Sequence, residues 1–149
     1  MAEQVAYEVL KSIKLFDGMT DEELDIISKR VFEKPYKKGS TLFVEGMAGE
    51  VLYIVVDGGV DIIKKTKEGD AVIAEIKPGE IAGEMSLIDS APRTASGKTN
   101  SDSRLVVITR KSFNEILDSD PKIAAKILME LLKIINKRLR ITDKKFEEK

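Results

Sequence analysis

Residues 42–60 read LFVEGMAGEVLYIVVDGGV, and their texture decides the fold. Short apolar runs rich in Val, Leu, Ile and Tyr alternate with the glycine-bearing turns EGMAGE and DGG, leaving no room for a helix between them. Strands so close in sequence pair antiparallel, because a parallel crossover needs a dozen or more residues. The same texture extends from Tyr36 to Thr109. Strand-like runs at 41–44, 51–56, 60–65, 71–76 and 104–109 are separated by these turns and by KKGS, KEGD and KPGE. Strands at this spacing predict an antiparallel sandwich, barrel or jelly roll. KEGD at 67–70 is the clearest hairpin, since glycine supplies the positive φ that a tight turn requires.

Helical periodicity flanks this region on both sides. Residues 3–13 place Val5, Ala6, Val9, Leu10 and Ile13 at helical spacing. A second helix starts at Thr20, an N-cap with Glu23 as its capping-box partner, buries Leu24, Ile27 and Val31, and is closed by Pro35. After Arg110 a short helix covers 111–117. Asp120 then caps a long helix over about 121–142, with Pro121 at its first position. Along one face run Ile123, Ile127, Leu131, Ile134 or Ile135, Arg138 and Ile141, with the apolar surface widened by Leu128, Leu132 and Leu139. The expected fold is α+β but mainly β: an antiparallel β-roll of about eight strands, with N-terminal helices near 3–34, the roll near 36–109 and two C-terminal helices near 111–142, all in one domain of 1–149.

Composition narrows the chemistry. Lys and Arg total 25 against 26 Asp and Glu, a net charge of −1, which argues against coating nucleic acid or an anionic membrane by bulk charge. The sequence contains neither cysteine nor histidine. It therefore lacks a thiol nucleophile, a disulfide, an imidazole base and the usual zinc ligands. No catalytic residue and no metal ligand set is assigned, and the chain reads as a non-enzyme. No apolar run approaches the roughly 20 residues of a membrane helix, and the amino terminus lacks the apolar core of a signal peptide. A soluble, cytoplasmic protein is expected.

One stretch carries a site. GEMSLIDSAPRTAS, residues 83–96, sets one carboxylate, Glu84, and one guanidinium, Arg93, among many short side chains. A planar guanidinium holds two phosphate oxygens at once, while a carboxylate accepts from a sugar hydroxyl. A single helical turn over 84–88 would aim the free N–H groups near Met85, Ser86 and Leu87 at the same anion. Gly83 allows close backbone approach, and Thr94 and Ser96 add hydroxyls beside the arginine. The set suits a ligand with a phosphate next to a ribose hydroxyl.

These residues resemble the phosphate-binding cassette of the cyclic nucleotide-binding domain family, which includes the catabolite activator protein, protein kinase regulatory subunits and gated channels. LFVEGMAGEVLYIVVDGGV resembles the family's earlier strand–turn–strand segment and IKPGEIAGEMSL its lead-in to the cassette; the likeness covers roughly residues 12–142. It implies that Arg93 pairs with a cyclic phosphate and that Glu84 accepts the ribose 2′-hydroxyl, with Gly83 beside it. The N–H groups of Ser86 and Ala95, next to Met85, would complete the phosphate cradle, with Thr94, Ser96 and Leu87 as base or pocket contacts. Thr94 matches a position where a hydroxyl can touch a syn guanine, a slight tilt toward cGMP, although bacterial members with Ser or Thr there also bind cAMP. The ligand is thus cAMP or cGMP, with no other cofactor. Three positions depart from the family pattern: Met47 for a small polar or acidic residue, Ala82 for a bulky one and Gly97 for an aliphatic one. They bear on affinity and pocket rigidity more than on fold.

In the family the last helix moves against the β-roll on ligand binding and in some members pairs two subunits. Packing on its own roll is the safer reading here, with a homodimer as the second. Phe146 is either an aromatic lid or, the favoured reading, a tail residue; Arg138 either reaches the nucleotide or a partner helix or, again favoured, lies at a solvated edge. Only a few residues follow the long helix, so no direct DNA binding is expected and an effector protein is the natural listener. Met1 suggests a genuine start, whereas Lys149 leaves open whether an output domain has been cut away. The alternative to a sensor is a degenerate β-roll used for protein contacts. A phosphodiesterase is disfavoured by the missing histidines and acidic metal cluster.

Overall fold

The computed structural model describes residues 3–83, 87–89 and 91–147. Its elements are β1 (Glu3–Gln4), α1 (Tyr7–Ser12), a 3-10 turn (Lys14–Phe16), α2 (Asp21–Ser28), β2 (Phe32–Tyr36), β3 (Thr41–Phe43), β4 (Val51–Asp57), β5 (Val60–Thr66), β6 (Gly69–Ile76), β7 (Ile81–Ala82), β8 (Ser96–Thr99), β9 (Ser103–Thr109), α3 (Arg110–Ser119) and α4 (Pro121–Glu147). The strands form two sheets, ordered β1-β2-β9-β4-β7 and β3-β8-β5-β6, and their pairings are antiparallel. This is the β-roll with flanking helices that the turn spacing implied.

The apolar pattern of β4 explains how the layers stack. Successive side chains of a strand point to opposite faces. Leu52 and Ile54 therefore enter one core, shared with α2, α3 and α4, while Tyr53 and Val55 enter a second core inside the roll. Neighbouring β9 does the same, sending Val106 and Ile108 to the helices and Leu105 and Val107 into the roll. Both strands are apolar on both faces because both faces are covered.

Several boundaries differ from those read in the sequence. The first helix does not begin at residue 3: Glu3 and Gln4 pair with Glu33 and Phe32, and α1 starts at Tyr7. Pro35 does not close α2. That helix ends at Ser28, where the Ser28 hydroxyl bonds back to the Asp25 carbonyl at 2.6 Å, a local bond that competes with helix continuation. Pro35 instead lies within β2, opposite Arg104. β1 reaches only Phe32 and Glu33 on the outer side, so a residue without an N–H is tolerated there, as on other sheet edges. α4 runs to Glu147, past the expected end near 142.

The capping box at α2 forms as read and does more than cap. Glu23 N–H donates to Thr20 Oγ1 at 3.1 Å and Thr20 N–H to Glu23 Oε1 at 2.9 Å. The same Oε1 accepts from Lys126 Nζ at 2.6 Å, tying α2 to α4. Lys126 first, and the Thr20 N–H second, hold the Glu23 carboxyl below its ordinary value. A depressed folded-state value means that the contribution is present at neutral pH and is lost as pH falls through the carboxylate range. Urea unfolding across that range should show a shallower acid-side loss of stability for Glu23→Gln than for the parent.

Candidate functional site

The main candidate is a cavity of about 250 Å³ at the mouth of the roll, room for roughly eight waters. Phe43, Ile62 and Ile76 line it from β3, β5 and β6; Ile81, Ala82 and Gly83 form another side; Asp89, residues 91–95 and Arg138 of α4 complete it.

Arg93 is positioned through its backbone first. Its N–H donates to the Met47 carbonyl at 2.9 Å, and its own carbonyl accepts from Gly46 N–H at 2.8 Å. Ala48 and Pro92 form an isolated antiparallel bridge beside this pair. The turn at 44–49 thus fixes where the arginine leaves the chain. The guanidinium then lies over the Phe43 ring, 4.4 Å from its centroid, within the range of a cation–π contact, and Nη2 donates to the Val51 carbonyl at 3.0 Å.

Two glycines make that placement possible. A Cβ on Gly49 would lie 2.1 Å from Arg93 Nε, and one on Gly83 would lie 2.3 Å from Nη1. Gly83 also adopts φ +76°, a conformation that favours glycine. Gly97 belongs to the same arrangement, because a Cβ there would meet the Phe43 ring at 2.5 Å. The glycine that weakens a strand interior is what lets Phe43 lie flat beneath the guanidinium. Met47, the other unusual residue, serves through its backbone while its side chain is 62% exposed. Ala82 is buried, opposite Tyr53, and lines the cavity.

Below Phe43 stacks Tyr53, with ring centroids 6.2 Å apart, its hydroxyl donating to the Leu42 carbonyl at 3.2 Å. Burial pushes this hydroxyl above its ordinary value, only partly offset by Arg93. Tyr53 is therefore a neutral donor at physiological pH and part of the floor.

The remaining sequence-derived positions divide. Thr94 and Ala95 line the cavity with Arg93 and Gly83, and the Thr94 carbonyl accepts from Lys64 Nζ at 2.7 Å. Ser96 does not line it: its Oγ accepts from Glu45 N–H at 2.8 Å, holding the 44–49 turn to β8. Leu87 does not line it either and is buried in the core shared with the helices. Glu84, Met85 and Ser86, and with them most of the helical turn expected over 84–88, lie outside the described residues, as does the Phe146 side chain.

Sequence reasoning missed Phe43 and Gly49 and undervalued Arg138. Arg138 is not at a solvated edge: it is partly buried, lines the cavity, and its Nη2 donates to the Ile81 carbonyl at 2.7 Å. Its place on the mostly apolar stripe of α4 was the available signal. Gly49 carried none, since its neighbour in space is 44 positions away in the sequence.

A β-roll that seats a guanidinium on an aromatic ring, between two glycines and facing a small cavity, has the chemistry to hold a compact organic anion. Comparison with known proteins gives the family. The family model for the cyclic nucleotide-binding domain matches residues 33–120, more than half of the chain, and the chain belongs to that family. It is 30% identical over 135 residues to the cyclic AMP receptor protein of Thermus thermophilus, covering 90% of this chain and 61% of that protein. It is 28% identical over 137 residues to a CRP-like cAMP-activated global transcriptional regulator of Mycobacterium tuberculosis, covering 91% of this chain and 59% of that one. The chain thus spans about three fifths of these curated relatives. A crystal structure of a cyclic nucleotide-binding domain from Methylobacillus flagellatus superposes with a TM-score of 0.83 at 30% identity, covering 95% of this chain and 81% of that one. Among the described residues no helix is long and apolar enough to cross a membrane.

Proposed function

We propose that this chain is a cyclic-nucleotide sensor without chemistry of its own, acting as one binding unit in the cytoplasm, with cAMP as the favoured ligand. The observation that carries this is Arg93 on Phe43, held between Gly49 and Gly83 at the cavity wall. The cAMP preference rests on the names of the two bacterial relatives. In this reading Arg93 takes two oxygens of the cyclic phosphate, exchanging its bond to Val51 for them. Glu84 accepts the ribose 2′-hydroxyl beside Gly83, the N–H groups of Ser86 and Ala95 near Met85 complete the cradle, and Thr94 faces the base.

Output would pass through α4, whose Arg138 borders the cavity and grips the strand leading into the cassette. A ligand shifts such an element only as far as it binds one position better than the other. The listener is an effector protein or a further domain. Thermal unfolding of nucleotide-free protein tests the reading. A midpoint that rises with cAMP, less with cGMP and not with 5′-AMP is expected, since a ligand that binds only the folded state stabilises it. No rise with either cyclic nucleotide would favour the protein-contact module.

Pairing of two chains is proposed on the outer face of α4. Ile123, Ile127 and Leu131 are buried against the chain's own core, whereas Met129, Leu132 and Leu139 are 57–58% exposed. Leu132 and Leu139, one heptad apart, head this face, with the partly buried Leu128 and Ile135 at its border with the chain's own core. Sedimentation should show a dimer for the parent and a monomer for Leu132→Arg/Leu139→Arg, with nucleotide binding retained at one site per chain.

A further inference from the structure

A second cavity, about 220 Å³, lies on the other side of Arg138, where α4 meets the 3-10 turn and the turn before β7. Its rim is cationic. Lys14 comes from the 3-10 turn and Lys137 from α4, with Lys133 one turn earlier paired with the Glu130 carboxylate at 3.1 Å, and Arg138 stands in the wall shared with the first cavity. Opposing them is the Glu80 carboxylate, which is engaged at 2.8 Å by the backbone N–H of Lys77 and so belongs to its own turn. The interior is apolar: Ile81, 2% exposed, forms the floor, with Ile134 and Ile141 on the α4 side.

Cations around an isoleucine-lined hollow match an anionic head on a flat apolar body. The volume, roughly seven waters, admits a single ring system and excludes a long acyl chain. We infer that this cavity is a binding site for a small aromatic acid, a carboxylate or sulfonate, which would bridge Lys14 to Lys137 and hold α4 against the N-terminal segment. The site does not rest on the nucleotide reading, because its lysines and its isoleucines on α4 are not among the residues lining the first cavity.

The test is a fluorescence titration with naphthalene-2-sulfonate, a single fused ring system bearing one anion. The parent should bind it saturably, and more weakly as salt rises. Lys14→Glu/Lys137→Glu should weaken binding about tenfold or more, with Lys14→Gln/Lys137→Gln intermediate and serving alone if the charge reversal fails to fold. Lys111→Gln, on α3 in a hollow that shares no residue with this cavity, should leave the affinity unchanged. The inference is overturned by absence of saturable binding, by equal affinity in the lysine variants, by loss of binding in Lys111→Gln, or by simple competition with cAMP, which would put the probe in the first cavity.

Discussion

Arg93→Ala is expected to weaken cyclic nucleotide binding by about 2–5 kcal/mol, because it leaves a buried phosphate without its charge partner. That corresponds to roughly 30-fold to several-thousandfold in Kd. The fold should survive: what fixes this segment is the backbone exchange with Met47 and Gly46 and the bridge between Ala48 and Pro92, none of which involves the guanidinium. Arg93→Lys should recover only part of the loss. A point charge keeps the attraction but not the two-pronged grip, nor the flat contact with Phe43. Titration calorimetry of the parent and both variants, with circular dichroism to confirm folding, checks this. Unchanged affinity in Arg93→Ala would remove Arg93 from the site.

Gly49→Ala should cost nearly as much binding without touching a ligand atom. The new methyl would lie 2.1–2.3 Å from Nε, Nη2 and Cζ of Arg93, so the guanidinium must leave its seat on Phe43. The backbone at Gly49 does not have a positive φ, so alanine adds no left-handed backbone penalty there, and the displaced atoms belong to a flexible side chain; the unfolding midpoint should move less than in Gly83→Ala. Gly83→Ala is the instructive contrast. It also crowds Arg93 Nη1, but its φ of +76° and the Val51 carbonyl at 3.1 Å add a backbone penalty of about 1–2 kcal/mol. Binding should fall in both variants and stability mainly in Gly83→Ala. Equal stability loss in the two would mean that Gly49 is only a turn residue.

The contrast also marks what the sequence could and could not disclose. The sheets were legible because two-faced burial writes continuous apolar runs, as in VLYIVV of β4, and because glycine turns punctuate them. The start of α2 was legible because a capping box is a local signal. Its end was not, since the same Pro35 that stops a helix is also tolerated at an open sheet edge, and which applies is settled by pairing with β9. Residues 3–4 likewise owe their extended form to a partner some thirty positions later. At the site, Arg93, Gly83, Thr94 and Ala95 were legible as a contiguous motif. Phe43, Gly49 and Gly97 were not, because their roles follow from how β3 and β8 bring one ring beneath one guanidinium. Gly97 looked like a defect until Phe43 was seen to need its space.

The central claim is that one cyclic nucleotide binds at this cavity through Arg93. Isothermal calorimetry with cAMP on protein refolded free of nucleotide tests it most directly. The account predicts saturable binding at one site per chain, with heat lost or strongly reduced in Arg93→Ala. A folded parent that shows no saturable heat with cAMP or cGMP would contradict it.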